Sequence, residues 1–323
     1  MRSAGALAIL LVAVALPFLL RQAYLQHVLI AAAINATLAV SLGLVIGYLG
    51  ELSLAHGAFY GIGAYTSALL AKNLGLPLLV SMPLGALGAA ISGLLIGIPA
   101  LRLSGHYFAI ATLGFQAIVI LLITNLVELT RGPMGLSGIP APGGEVPWLG
   151  IPLASKAAYY EMALAVLVVT LGVTFNLMRS RFGQAFIAIR EDPLLAASIG
   201  VRTRRYRLLA FTISAGLAGA GGAVYAHYTL FISPDSFNLG ESVYVATMVI
   251  IGGMGTLAGP VIGAVLLTAL PEALRVAGQL QFVLYGAIAM LVVIYMPKGI
   301  AGMAWPLGGS RRRPAAASQP AGE

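Results

Sequence analysis

Residues with reactive or metal-binding side chains are few in this sequence, and their spacing fits no enzyme site. There are no cysteines, which excludes disulfides, zinc–thiolate sites and iron–sulfur clusters. The histidines lack the i, i+4 pairing of a helical metal site; they are His27, His56, His106 and His227. No lysine stands in the Gly-Lys-Ser/Thr pattern of a P-loop. The sequence predicts a protein that is not an enzyme and that binds no metal, cofactor or nucleic acid itself.

One glycine-rich stretch offers a choice between dinucleotide binding and a break in a helix. Residues 253–258 match the G-x-G-x-x-A fingerprint. That fingerprint follows a strand and opens a helix, whereas this stretch interrupts a long apolar segment. Because helix is costly at glycine, we expect Gly252, Gly253 and Gly255 to break a helix at membrane depth.

The charged side chains avoid the apolar segments, and this bears on mechanism. No Asp, Glu, Lys or Arg lies deep in any of the segments given below. Proton-coupled transporters and cation filters use such groups within the membrane. The sequence therefore predicts a permeation path without a fixed charge, suited to a substrate that is neutral overall, such as a branched-chain amino acid, urea or a short amide. An ion-coupled secondary transporter stays an alternative, because carbonyls and hydroxyls alone can bind sodium.

The elements that must position any site are transmembrane helices. Hydrophobic residues make up 59% of the 323 residues and charged residues 9%, against about 25% charged residues in a soluble chain. The candidate spans, which carry charged residues only near their ends, are 4–20, 28–48, 52–71, 78–100, 107–127, 159–178, 208–230, 241–270 and 279–296. Since backbone groups in lipid must be satisfied within helices, we expect an all-α polytopic membrane protein with about eight spanning helices. A broken or re-entrant helix pair is expected near 241–270.

The distribution of arginine predicts which loops face the cytoplasm. Residues 179–207 hold seven arginines out of eighteen basic residues in the chain, and the positive-inside rule places them inside. Treating 241–270 as re-entrant then puts both termini in the cytoplasm. A single tilted crossing through 241–270 would instead put the C-terminus outside.

The remaining organisation is simple. Residues 1–309 are expected to form one transmembrane domain with a long outer loop at 128–158, followed by a disordered cytoplasmic tail at 310–323. The segment 4–20 also resembles a signal peptide with a cleavage site at Ala13-Val14-Ala15. Because its apolar run continues past that site, we favour a retained first span.

A short helix is encoded inside the arginine-rich loop. Asp192 is an N-cap residue, Pro193 suits the first helical position, and Gly200 suits the position after the end. About two turns of helix are too few for stability in isolation, so the helix needs a surface on which to dock. Lipid headgroups or a partner protein would both serve.

Four groups of residues, in order, carry a resemblance to a known family; they are 47–65, 99–115 with 132–140, 182–211, and 232–237 with 250–256. The chain resembles the permease subunits of branched-chain amino acid ABC importers of the LivM type. In that family the stretch at 182–211 corresponds to the EAA loop, whose coupling helix sits in a cleft of an ATPase subunit.

The resemblance implies which residues couple to the ATPase. They are Glu191, Asp192, Pro193, Leu195, Ala196, Ala197, Ile199 and Gly200. This chain has Pro193 and Ser198 where the family usually has acidic residues, which affects the ATPase surface that the helix fits rather than its position.

The resemblance also implies an assembly in the bacterial cytoplasmic (inner) membrane, in contact with lipid. A second permease, more often a sister chain than a copy, would complete the pore. Two ABC ATPase subunits would bind ATP and magnesium, and a periplasmic or lipid-anchored binding protein would deliver the substrate. Because that protein makes the first selection, the sequence leaves open which amino acid or amide is carried.

Polar residues within the predicted spans are the candidates for the substrate pathway. We nominate Ser53, His56, Tyr60, Tyr65 and Gln116, and Asn35 has a similar status. Polar groups in a span tend to face the protein interior. The alternative is a structural role, in which they hydrogen-bond between helices that pack through small residues.

Overall fold

A computed structural model of the chain consists mainly of long helices. It describes residues 11–17, 22–103, 105–141, 145–146, 151–152, 155–274, 280, 286–287, 290–291, 294–296 and 299–304. The helices up to residue 179 are α1 (Ala23–Gly43, continued as a π-helix at Leu44–Leu49), α2 (His56–Leu74), α3 (Leu78–Ala100), α4 (His106–Asn125), α5 (Val127–Thr130) and α6 (Lys156–Arg179). Those that follow are α7 (Arg181–Glu191), α8 (Pro193–Ser198), α9 (Thr203–Thr229), α10 (Leu239–Gly252), α11 (Ala258–Ala273) and α12 (Gly299–Ala304).

The described residues contain five helices that are long and apolar enough to cross a membrane; they are Ala23–Leu49, Leu78–Ala100, His106–Asn125, Lys156–Arg179 and Thr203–Thr229. The predicted helical, polytopic architecture is thereby confirmed. The count of about eight crossings and the position of both termini stay predictions. Of the predicted span 4–20, residues 11–17 are described and helical. Most of 279–296 and all of the tail 310–323 lie outside the described residues.

Hydrogen bonds between elements define two ends of the helix bundle. At the end that we call the arginine-rich end, residues 179–207 meet the last turn of α1, where Arg190 donates to the carbonyl of Gly47. At the opposite end, Lys72 of α2 donates to the carbonyl of Ser137. The long helices therefore run between a basic loop and the loop that precedes α6.

Within the described residues, four strands of two residues each accompany the helices. Strand β1 (Leu136–Ser137) pairs antiparallel with β4 (Phe231–Ile232), and β2 (Glu145–Val146) pairs antiparallel with β3 (Ile151–Pro152). Three of the four lie in the predicted loop 128–158, where glycine and proline disfavour helix.

Helices α2, α3 and α9 approach one another through glycines. A Cβ atom on Gly63 would collide with the backbone of Gly219, and one on Gly222 would collide with the carbonyl oxygen of Tyr60. Small residues allow such close approach between membrane helices, where dispersion rather than water drives association.

Two helices begin inside the bundle rather than at one of its ends. After α1 reaches the arginine-rich end, residues 50–55 run back without helical structure, and α2 begins at His56. From the opposite end, β4 and a 3₁₀ turn at Pro234–Phe237 lead to α10, which begins at Leu239. Irregular backbone is tolerated at membrane depth where protein buries it, so both segments depend on polar partners within the bundle.

Gln116, midway along α4, supplies partners to both of these helix starts. Its Oε1 accepts from the backbone N–H of Ala58 at 2.5 Å, and its Nε2 donates to the carbonyl of Phe237 at 2.5 Å. Ser242 of α10 accepts from the N–H of Gly57 at 2.8 Å. The N-termini of α2 and α10 therefore meet at the level of the middle of α4.

Helices α10 and α11 form an antiparallel pair in which neither member reaches the length of a span. They contain 14 and 16 residues, fewer than the ~20 that a crossing requires. Tyr244 Oη donates to the carbonyl of Leu267 at 2.9 Å across the pair. Gly252 ends α10, and the connection includes Gly253 and Gly255, whose φ angles of +122° and +78° favour glycine.

Candidate functional site

Helix α8 lies within the arginine-rich loop and is closed at both ends by local interactions. Oδ1 of Asp192 accepts hydrogen bonds from the backbone N–H groups of Leu194 and Leu195, at 2.8 and 3.0 Å. Pro193 occupies the first helical position. Beyond the helix, Gly200 has a φ of +88°, a left-handed conformation that ends helices. The short helix that the sequence predicts is therefore present.

The two faces of α8 differ in exposure. Ala196 is 2% exposed and packs against the bundle itself, whereas Ala197 is exposed. Leu194, Leu195 and Ile199 are 84%, 62% and 71% exposed. Ala196 therefore seats the helix, and the three apolar side chains project from the protein. Exposed apolar side chains that lie together mark interaction surfaces.

Arg190 links the loop to two interruptions in the bundle. From the last turn of α7 it donates through Nη1 to the carbonyl of Gly47, at 2.5 Å, in the π-helix at the end of α1. A Cβ atom added to Gly255, between α10 and α11, would lie 3.0 Å from the same Nη1. The sequence offered no signal for this contact beyond the positive charge.

A buried ion pair fixes the non-helical segment 50–55. Arg207, in the second turn of α9, pairs with Glu51. Their side chains are 12% and 8% exposed, so the pair is largely shielded from solvent. In the sequence, both residues stand next to the ends of predicted spans.

Most of the nominated pathway residues are buried inside the bundle. Nε2 of His56 lies 3.2 Å from the hydroxyls of Ser41 and Ser214, so this imidazole joins α2 to α1 and α9. Ser53 is fully buried, and Tyr65 is 4% exposed. Their part in a substrate pathway stays a prediction.

A cavity of about 330 Å³ lies between α1, α2, α9 and α10, and this volume falls within the range of small-molecule sites. Its walls are formed by His27, Ala31, Ile34, Asn35, Tyr60, Tyr225, Tyr228, Thr229, Ser236, Glu241 and Tyr244. Of the residues nominated from the sequence, Tyr60 and Asn35 line this cavity. Tyr225, Tyr228 and Thr229 were missed, although their spacing puts them on one face of α9.

Glu241 bears on the prediction that the permeation path carries no fixed charge, which stays a prediction. In the sequence it stands at the end of an apolar segment, the usual position of a surface carboxylate. In the structure it lies in the first turn of α10, which begins inside the bundle. Asn238 was the available signal, because its Oδ1 accepts from the N–H of Glu241 at 3.2 Å as an N-cap does.

Comparisons with known proteins agree with this architecture. A family model described as the permease component of branched-chain amino acid transport systems matches residues 24–296. The chain is 37% identical over 318 residues to the high-affinity branched-chain amino acid transport system permease protein LivM of Escherichia coli K12, covering 93% of this chain and 75% of the relative.

Two further relatives are more distant. The corresponding permease protein LivH of Escherichia coli K12 is 28% identical over 287 residues, which cover 83% of this chain and 91% of the relative. The autoinducer 2 import system permease protein LsrC of Salmonella paratyphi B is 30% identical over 206 residues, 60% of this chain and 56% of the relative. No solved structure matches the chain with statistical significance.

The family match covers most of the chain, and the long apolar helices identify a multi-pass membrane protein. The resemblance found in the sequence is thereby confirmed. The chain belongs to the family of permease components of branched-chain amino acid transport systems.

Proposed function

We propose that the chain is the membrane-spanning permease subunit of an ATP-binding cassette importer in the bacterial cytoplasmic (inner) membrane. It forms half of the translocation path for branched-chain, hydrophobic amino acids. The observation that carries this proposal is the exposed apolar face of α8, made by Leu194, Leu195 and Ile199. A capped helix whose apolar side chains project from the bundle requires a partner surface.

The partner on that face is an ABC ATPase subunit, which binds ATP and magnesium; this permease binds neither. Asp192 and Pro193 fix the start of the coupling helix, Glu191 precedes it, and Ala197 leaves room for close contact beside Leu195 and Ile199. Ala196 holds the helix against the permease. Pro193 and Ser198 replace residues that are usually acidic in the family. These two differences adapt the exposed face of α8 to the ATPase subunit of this importer.

The assembly contains a second permease and a binding protein. Two distinct permease proteins of Escherichia coli, both named for high-affinity branched-chain amino acid transport, are similar to this chain, which supports a sister permease rather than a second copy. Two ATPase subunits complete the importer, and a periplasmic or lipid-anchored binding protein delivers the substrate.

The orientation follows from the same assembly. Residues 179–207 face the cytoplasm, residues 128–158 face the periplasm, and residues 1–309 form one transmembrane domain with about eight crossings. Both termini, including the tail 310–323, are cytoplasmic. The helix break at Gly252, Gly253 and Gly255 then lies on the cytoplasmic side, because Gly255 adjoins Arg190.

The docking of α8 is tested by replacing its two most N-terminal leucines with serine. Leu194→Ser/Leu195→Ser removes apolar area worth roughly 1.5 kcal/mol per side chain when buried in a partner, so ATPase binding should weaken about 100-fold. Retention of the ATPase subunits on the purified permease and substrate-stimulated ATP hydrolysis are the measurements. The matched control is Leu74→Ser, an exposed leucine (66%) at the opposite end. Equal retention in the double variant and the control would refute the proposed docking.

A further inference from the structure

The cavity beside α1, α2, α9 and α10 has one ionisable carboxylate among its wall residues. That carboxylate belongs to Glu241. Glu241 is carried by α10, and Phe237 lies just before that helix. Gln116, halfway along the spanning helix α4, donates a hydrogen bond to the carbonyl of Phe237. Glu241 therefore lies close to the level of the middle of a crossing helix, in a half-buried position.

No basic side chain among the described residues pairs with Glu241. This contrasts with the buried acid Glu51, whose partner is Arg207. An ionised carboxylate away from bulk water is costly unless a cation or hydrogen-bond donors face it. Glu241 is half-buried and faces a cavity, so a cationic group of a ligand can supply the missing charge.

The other walls of the cavity suit the ammonium group and the apolar side chain of a small amino acid. Tyr60, Tyr225 and Tyr244 line the same cavity as Glu241. The faces of such aromatic rings attract cations. The cavity is also lined by Ala31 and Ile34, which offer apolar surface. Its volume of about 330 Å³ is in the range of sites for small ligands.

We propose that this cavity is a binding site for an α-amino acid, in which Glu241 pairs with the α-ammonium group and Ala31 and Ile34 face the apolar side chain. The inference rests on the proposed function, since the cavity would then be a substrate-binding site along the translocation path. It also separates two substrate classes that the sequence left open. A neutral amide or urea has no charge to pair with Glu241, whereas an amino acid does.

Charge-selective labelling tests for the fixed negative charge. The chain has no cysteine, so Ser236→Cys introduces a single thiol on the cavity wall, and mass spectrometry of this chain follows its modification in the assembled complex. A cationic methanethiosulfonate should react at least about tenfold faster than an anionic one. Adding Glu241→Gln should abolish the preference, and Glu241→Asp should retain it. The control thiol, Asn125→Cys, is exposed at the opposite end and should be insensitive to both changes at Glu241.

Protection by ligands tests the substrate class with the same thiol. Millimolar leucine should slow the labelling of Ser236→Cys about tenfold, and 2-hydroxy-4-methylpentanoate, which lacks the ammonium group, should not. Protection by leucine should disappear with Glu241→Gln and persist with Glu241→Asp.

The labelling requires neither ATP nor the binding protein, so its result is independent of the ATPase-docking experiment. An equal rate with both reagents would overturn the proposal, as would equal protection by leucine and the hydroxy acid. A preference for urea over leucine would overturn it too. Unchanged ATPase docking in Leu194→Ser/Leu195→Ser together with normal protection by leucine would refute only the coupling role of α8.

Discussion

Replacing Glu51 with glutamine tests whether the buried ion pair holds the segment 50–55 that supports the start of α2. The side chains of Glu51 and Arg207 are 8% and 12% exposed, so the substitution leaves a guanidinium group without a counter-charge in a largely shielded position. Breaking such a pair costs about 3–5 kcal/mol. At roughly 2 °C per kcal/mol for a large chain, the midpoint of thermal unfolding should fall by about 6–10 °C.

A double-mutant cycle isolates the pair from other effects of the substitution. Arg207→Met and the double variant Glu51→Gln/Arg207→Met are compared with Glu51→Gln by thermal unfolding of the purified complex. The double variant should be more stable than Glu51→Gln alone, because it contains no unpaired charge. Glu128→Gln, at an exposed acid of the opposite end, should change stability by less than about 0.5 kcal/mol. Strict additivity of the two single substitutions would show that the two groups do not interact.

Two further substitutions probe the loop contact and the packing of the bundle. Arg190→Met removes a charge-assisted hydrogen bond worth about 1.5–3 kcal/mol, so uptake should fall by roughly tenfold or more while the ATPase subunits remain bound. Uptake equal to that of the parent protein would contradict this. Gly63→Val places a side chain against the backbone of Gly219 and should abolish the monodisperse fraction in size-exclusion chromatography. Gly114→Ala, where a Cβ meets nothing within 4 Å, is its control and should resemble the parent; a normal yield of Gly63→Val would contradict the packing.

The parts of the structure that the sequence predicted are those that neighbouring residues determine. The helix α8 was predicted because its cap, its first residue and its stop lie within nine positions of one another, from Asp192 to Gly200. The break between α10 and α11 was expected for the same reason, since adjacent glycines disfavour helix wherever they occur. Such signals need no knowledge of the rest of the fold.

Other features depend on residues far apart in the sequence, and local patterns do not reveal them. Gln116 was nominated as a pathway residue, but it bonds Ala58 and Phe237 at the starts of two helices. The position of Glu241 at the level of the middle of α4 follows from the same hydrogen bond between Gln116 and Phe237. Hydropathy assigns a carboxylate at the edge of an apolar segment to the membrane surface, and only the re-entry of the chain before α10 moves it inward.

Two interrupted segments, the π-helical end of α1 and the connection between α10 and α11, indicate how a movement of the arginine-rich loop 179–207 reaches the cavity. Arg190, just before α8, touches the end of α1 and the connection between α10 and α11 rather than the middle of a long helix. Interrupted backbone has fewer intrahelical hydrogen bonds to break, so it yields before a continuous helix does. A helix next to each interruption carries a wall of the cavity: α2, with Tyr60, follows the end of α1, and α10, with Glu241, precedes the connection to α11. A displacement of α7 and α8 would therefore move these two walls relative to α1 and α9 without unfolding a spanning helix.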